Sequence, residues 1–262
     1  MTERHYRYAR PEDIAALGCI WQLSFGDEES VARQLLEDRD VWERCTVCES
    51  GGEVCAMMCA FDGVELHGKM SSYLYGLCTH PRQRRQGIGR ELLQECVDRA
   101  LARGSEQVCL HPASTELARW YEGLGFVPAV SRGCTALFTT NAEDLMLRQL
   151  SGQEYARLRK KFGAAPLPDA LLRAQELFFQ IYGGGFYAGE LAGCPIALGA
   201  ENVRGKLQIK ELLCPPSLRR ELSADGGVFP EETPSEKPDF PPHLMFWHSA
   251  PTAPVYLPFL MD

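Results

Sequence analysis

Between Met70 and Arg90 the chain carries no Asp or Glu, yet it places Arg82, Arg84, Arg85 and Arg90 there. In a protein of net charge -8 this is a local electropositive segment. Gly87 and Gly89 sit where a strand-like run, Ser71–Thr79, gives way to a helical pattern. A helix N-terminus offers unpaired backbone N–H groups and a partial positive charge, so it binds phosphate readily. Glycine lets a ligand approach the backbone closely. Strand, Arg/Gly loop and helix therefore form an anion cradle on physical grounds. The plainer alternative is a solvated basic turn whose glycines serve geometry only. Other nucleotide loops fit poorly, because there is no Gly-x4-Gly-Lys-Ser/Thr, and position 92 of a would-be Gly-x-Gly-x-x-Gly is leucine.

The elements around this segment follow from periodicity and turn chemistry. Arg10-Pro11-Glu12-Asp13 opens a helix with Ile14, Leu17 and Trp21 on one face, and a second helix is expected over 29–44. Thr46-Val47-Cys48 leads through Ser50-Gly51-Gly52 into the apolar run 54–61, which is expected to end in a hairpin turn at Asp62-Gly63. After the loop, Ile88, Leu92, Leu93, Cys96, Val97, Ala100 and Leu101 keep helical spacing up to about Arg103, with Gly104 as cap. A strand over 107–110, a helix over 114–122 and strands over 126–130 and 135–139 close this half.

From about residue 140 a new unit is expected: helices near 152–161 and 169–182, then strands over 186–191, 195–200 and 206–214. A Pro-, Glu- and Gly-rich loop follows over 224–242, with final strands over 243–247 and 254–260. A weak internal repeat runs through both halves. Cys48-Glu49-Ser50-Gly51-Gly52-Glu53-Val54-Cys55-Ala56 is echoed by residues 188–196, and Leu77-Cys78 with Arg84-Arg85 by Leu213-Cys214 with Arg219-Arg220.

Composition bounds the rest. At 262 residues, 45% hydrophobic and 24% charged, the chain can bury a sizeable core without a metal or disulfide. The acidic balance argues against a nucleic-acid binder. Residues 1–7 lack the apolar core of a signal peptide, and no stretch approaches the ~20 apolar residues of a membrane span, so a cytoplasmic location without membrane partners is the expectation. An odd count of 11 cysteines argues against a disulfide framework. Cys45, Cys48, Cys55 and Cys59 resemble zinc spacing only loosely. On a hairpin Cys45 and Cys48 point to opposite faces, so no metal site is expected.

Arg84-Arg85-Gln86-Gly87-Ile88-Gly89 matches the Arg/Gln-x-x-Gly-x-Gly/Ala motif of the GNAT acetyltransferase superfamily. Leu77-Cys78-Thr79-His80-Pro81 resembles the strand end that precedes it there. Trp120-Tyr121-Glu122-Gly123-Leu124-Gly125-Phe126 is similar to the family's Tyr-Glu-x-x-Gly-Phe signature, and Ser114 stands where many members have Asn. The resemblance covers about residues 4–139. It implies a mixed, mostly antiparallel α/β (α+β) sheet flanked by helices over 1–139, followed at 140–262 by a smaller, degenerate GNAT-like domain without the phosphate loop.

It also implies site roles. Acetyl-CoA would be the co-substrate, its pantetheine arm pairing with the backbone of Leu77, Cys78 and Thr79. Its pyrophosphate would be held by the loop Arg84, Arg85, Gln86, Gly87, Ile88, Gly89 and Arg90, with Ser114 nearby. Tyr121 would be the general acid, since a phenol with a pKa near ~10 stays protonated at neutral pH and can donate to a departing thiolate. The acceptor would be a small-molecule or peptide amine, and a homodimer is compatible with this. The strand before the loop holds no carboxylate, so the base is left open between an ordered water and Glu28, Glu29 or Glu49. A non-catalytic acyl-CoA-binding regulator is the alternative reading.

Overall fold

The computed structural model describes residues 3–66, 68–129, 139–141, 146–218 and 244–248. The chain divides into two compact units, Met1–Val64 with Gly68–Leu110, and Glu65–His67 with His111–Asp262.

The first unit begins with β1 (Arg4–Tyr8), followed by α1 (Ile14–Phe25), α2 (Glu29–Leu36) and α3 (Arg39–Trp42). β2 (Cys45–Ser50), β3 (Glu53–Leu66), β4 (Lys69–Thr79), α4 (Ile88–Ala102) and β5 (Gln107–Leu110) complete it. The strands lie in the order β1-β2-β3-β4-β5. β1 and β3 both pair antiparallel with β2, whereas β5 returns parallel to β4 after the α4 crossover. This is the mixed, mostly antiparallel architecture expected. The helical spacing of α4 resolves as a buried stripe of Ile88, Leu92, Leu93, Cys96, Val97 and Ala100, while Leu101 stays 42% exposed. Six apolar side chains from one helix facing the sheet supply most of that helix's stability, because propensity alone holds a helix of this length only marginally.

Three expectations in this unit are corrected. The turn at Asp62-Gly63 does not form: β3 runs on to Leu66. Arg103 grips Asp62 with Nε at 2.7 Å and Nη2 at 2.9 Å, and Ser72 donates to it as well, so tertiary partners override the local turn preference. The helix expected over 29–44 is two, because Asp38 adopts extended backbone and its side chain accepts from the Asp40 N–H at 3.0 Å, capping a new start. Against the expectation of no disulfide, Cys45 and Cys59 stand directly opposite on β2 and β3 and are joined. Among the described residues no group of three or more His, Cys, Asp or Glu is arranged to hold a metal. No helix among them is long and apolar enough to cross a membrane.

The second unit holds α5 (Thr115–Glu122), β6 (Phe126–Pro128), β7 (Thr139–Asn141), β8 (Arg148–Leu150), α6 (Gly152–Lys161) and α7 (Asp169–Ile181). β9 (Gly185–Leu191), β10 (Cys194–Val203), β11 (Lys206–Leu213) and β12 (Met245–Trp247) follow. β12 pairs antiparallel with β6, and a five-stranded sheet runs β7-β11-β10-β9-β8. Tyr155, Phe179, Phe186, Ala197 and Leu213 pack one of its cores. Within that core Arg159 pairs with Glu211, which also accepts from the Tyr155 hydroxyl at 2.7 Å.

The connectivity of the two sheets is alike. In each, one strand leads through two or more helices to a strand that pairs with it antiparallel, as β1 with β2 and β8 with β9. The β2–β3 and β9–β10 turns also match: Gly51 and Gly52 have φ of 64° and 82°, Ala192 and Gly193 of 50° and 72°. Positive φ at both central positions is the tight hairpin geometry that suits strand twist. The expected loop over 224–242, the strands over 254–260 and 135–138, and Arg219-Arg220 of the repeat lie outside the described residues.

Candidate functional site

β4 and β5 pair only from Ser71 opposite Gln107 to Leu74 opposite Leu110. β5 ends there, but β4 continues to Thr79. On its other side the end of β4 stays tied to β3, since the His80 N–H donates to the Cys55 carbonyl at 2.8 Å. The backbone from Gly76 to Thr79 thus runs beyond the reach of β5, and Leu77, Cys78 and Thr79 all lie on it. An open strand edge is a template for an extended chain that brings its own donors and acceptors.

The edge runs directly into the loop. His80 Nδ1 accepts from the Arg82 N–H at 3.3 Å and caps a turn over Pro81–Gln83. Arg85 then takes φ of 62° and Gly87 φ of 84°, and Gly87 serves as N-cap of α4. No side chain caps this helix, and its first intrahelical bond is the Glu91 N–H to the Gly87 carbonyl at 3.0 Å. The amides of Ile88, Gly89 and Arg90 therefore have no partner within the helix and lie at its positive end. Arg82, Arg85 and Arg90 are exposed around them. Residues and backbone fit a pyrophosphate-bearing ligand with an extended arm.

Arg84 has a different place from its loop neighbours. Its Nε donates to the Thr79 carbonyl at 3.0 Å, and its Nη2 reaches Ser24 Oγ at 3.2 Å and the Leu23 carbonyl at 3.5 Å. Its guanidinium fastens the end of α1 to the end of β4. Cys78 is buried, and that burial pushes its thiol up to about 12. It remains a protonated wall residue and offers no competing nucleophile.

Behind the loop lies a network that sequence reasoning missed. Arg4 on β1 donates through Nη1 to both Glu91 carboxylate oxygens, at 2.7 Å and 2.9 Å, and through Nη2 to the Gln86 carbonyl at 2.8 Å. The Tyr6 hydroxyl donates to Glu91 at 2.6 Å. These bonds from Tyr6 and then Arg4 hold the Glu91 carboxyl below its usual range. The acid in the first turn is thus paired with Arg4, which also binds the loop at the Gln86 carbonyl, leaving the loop positive. Only the two-residue alternation of Arg4 and Tyr6 on one face of β1 hinted at it.

Of the candidate bases, Glu49 is engaged by Arg7 Nε at 3.0 Å. Glu28 and Glu29 are exposed at the start of α2. Tyr121 and Ser114 belong to the second unit. The Ser114 hydroxyl is the N-cap of α5, accepting from the Leu117 N–H at 3.1 Å. Tyr121 is 7% exposed, with its ring centroid 5.0 Å from Trp120 and 5.7 Å from Phe126. Burial pushes its phenol up to about 12.

Residues 41–128 match the family model described as an acetyltransferase (GNAT) domain. That span contains the open edge, the loop and Tyr121. No curated protein matches the sequence. Among solved structures, the GCN5-related N-acetyltransferase from Kribbella flavida is similar with a TM-score of 0.56 at 17% identity, over 94% of this chain and 71% of that one. The GCN5-related N-acetyltransferase from Anabaena variabilis gives 0.58 at 15% identity, over 93% and 72%. Eis1 from Mycobacterium abscessus gives 0.57 at 14% identity, over 85% and 62%. At these identities the likeness is one of fold. Taken with the loop geometry, the comparisons identify residues 41–128 as an acetyltransferase (GNAT) domain in a chain with the GCN5-related N-acetyltransferase fold.

Proposed function

We propose that this protein is an N-acetyltransferase that moves the acetyl group of acetyl-CoA to a primary amine by direct attack. The observation that carries this reading is the edge of β4 from Gly76 to Thr79, which runs beyond the last β4–β5 pair at Leu74 and Leu110 and is continuous with the N-terminus of α4, where no side chain caps the helix. The Leu77, Cys78 and Thr79 backbone would hold the pantetheine arm, and the amides of Arg85 to Arg90 the pyrophosphate. The amine nitrogen attacks the thioester carbonyl carbon and gives up a proton to an ordered water or to Glu28, Glu29 or Glu49, the carbon–sulfur bond breaks, and the thiolate takes a proton. Tyr121 is the donor in this reading; burial pushes its phenol up to about 12, so it carries its proton throughout the neutral range. Residues 140–262 are read as a degenerate copy that adds architecture and acceptor contacts.

One observation favours a non-catalytic acyl-CoA-binding regulator: β4 carries no Asp or Glu from Lys69 to Thr79, so no strand carboxylate is there to deprotonate the amine. The two readings part in one assay. Loss of thioester absorbance from acetyl-CoA is followed against a panel of primary amines, which avoids thiol reagents that 11 cysteines would consume. Amine-dependent loss is expected. Tight acetyl-CoA binding with no amine-dependent loss would establish the regulator instead.

A further inference from the structure

The β2–β3 hairpin carries two pairs of cysteines. Cys45 and Cys59 face one another in register and are joined. Cys48 and Cys55, nearer the turn, are free thiols. The register shifts beside them: Cys48 pairs with Ala56 and Glu49 with Val54, so Cys55 is an extra residue with no partner of its own on β2. This is a β-bulge, which re-aims a side chain and is common beside functional sites. Here it brings the Cys55 thiol onto Cys48, whose carbonyl accepts from Cys55 Sγ at 3.3 Å.

Both sides of this pair lead to the phosphate loop. The Cys55 carbonyl accepts from the His80 N–H at 2.8 Å, at the junction of β4 and the loop. Cys48 lies opposite Tyr6 of β1, so the two side chains share a face of the sheet. The Tyr6 hydroxyl donates to Glu91 at 2.6 Å, and Arg4 joins Glu91 to the Gln86 carbonyl of the loop. The pair therefore supports the loop by two routes, one through backbone and one through side chains.

The two thiols are unequal. The Cys55 thiol beside it, with the Tyr6 hydroxyl and the Arg4 charge, outweighs burial and brings the Cys48 thiol down to about 7. The same contact, together with burial, pushes the Cys55 thiol up. At Cys78, Cys96 and Cys109 burial raises the thiol instead of activating it. Cys48 is thus the attacking sulfur, and Cys55 keeps its proton until it is attacked or attacks in turn. Cys48 is 0% and Cys55 3% exposed, which admits a water-sized oxidant more readily than a bulky disulfide.

We propose that Cys48 and Cys55 are a peroxide-responsive dithiol that closes into a disulfide, and that closure weakens acetyl-CoA binding at the loop it supports. The second part rests on the acetyl-CoA reading above. The Cys48 thiolate attacks one peroxide oxygen, the O–O bond breaks, and the released hydroxide takes up a proton to become water. The Cys55 sulfur then attacks the sulfenic sulfur of Cys48, the S–O bond breaks, and a second water leaves with the Cys55 proton. Two thiols lose two electrons and the peroxide is reduced to two waters. Bridging draws the Cys48 sulfur away from Tyr6 and pulls on the bulge that holds His80, so the loop is loosened by both routes.

The test treats the purified full chain with hydrogen peroxide, maps its disulfides by peptide mass spectrometry and measures acetyl-CoA affinity by calorimetry. Expected is a Cys48–Cys55 bridge with affinity lowered about tenfold, on the order of one hydrogen bond lost behind the loop, and restored by dithiothreitol. Folded Cys48→Ser and Cys55→Ser should bind as the untreated wild type does and ignore peroxide. Cys19→Ser, at an exposed thiol, should respond as the wild type does. Free Cys48 and Cys55 after peroxide, a bridge that leaves affinity unchanged, or a response that persists in either of the two hairpin variants would each overturn the proposal and leave the cofactor reading standing. An untreated chain that fails to bind acetyl-CoA would overturn both.

Discussion

A phenol serves a departing thiolate only while it keeps its proton, and the packing of Tyr121 secures this. Edge-on contact with Trp120 and Phe126 excludes water, and the resulting burial lifts the phenol from its ordinary 10.0 to about 12. The fold favours the neutral form, so this burial contributes stability that is fully present below pH 10.0 and is lost as pH rises through about 12. In the proposed role, Tyr121→Phe lowers kcat by about 10²-fold or more while acetyl-CoA affinity stays nearly intact. In the wild type, Tyr121 adds no falling limb to the kcat profile below pH 10.0. Single-turnover rates across pH check both. Full turnover in the Phe variant, where chemistry limits the rate, makes Tyr121 a packing residue.

At the scale of elements, what the sequence disclosed depended on how local the cause was. α4 was legible because its buried stripe recurs at helical spacing within 15 residues, and the loop because glycines and arginines crowd one junction. The Arg4–Glu91 tie behind that loop was barely legible, since its partners are 87 residues apart and the alternation of Arg4 and Tyr6 on β1 does not name Glu91 as their partner. Asp62-Gly63 misled for the same reason, a local turn preference losing to Arg103. β8 spans 3 residues, too few for alternation to register. The second unit hides a comparable long-range device. Arg159 and Glu211 have side chains 3% and 8% exposed, so each neutralises a charge the core could not otherwise hold. Arg159→Met should destabilise this unit by about 3–5 kcal/mol by stranding the Glu211 carboxylate, whereas Arg159→Met with Tyr155→Phe and Glu211→Leu should recover most of it. Urea unfolding of the full chain measures both. A triple variant as unstable as the single one would mean that volume rather than charge sets the loss.

For the whole molecule, the question is how many ligands one chain binds. Both sheets share strand connectivity, but their ends differ. β4 runs from Thr79 into Gly87 and a helix of 15 residues, whereas β11 stops at Leu213 ahead of Pro215 and Pro216. Two prolines remove two N–H donors where an added chain would pair. The sequence after them, Arg219-Arg220-Glu221-Leu222-Ser223, has no glycine and carries an acid where the first half has Gln86. One acetyl-CoA per chain is therefore expected, held by the first half. Gly87 is the residue on which that site turns, because its φ of 84° admits a side chain only under strain. A glutamate there also sets a carboxylate among the phosphate-binding amides. Calorimetric titration of acetyl-CoA into the intact chain and into Gly87→Glu, with folding checked by circular dichroism, tests the account most directly. One equivalent bound by the wild type and none by the folded variant is the predicted result; two equivalents per chain, or unchanged affinity in folded Gly87→Glu, would contradict it.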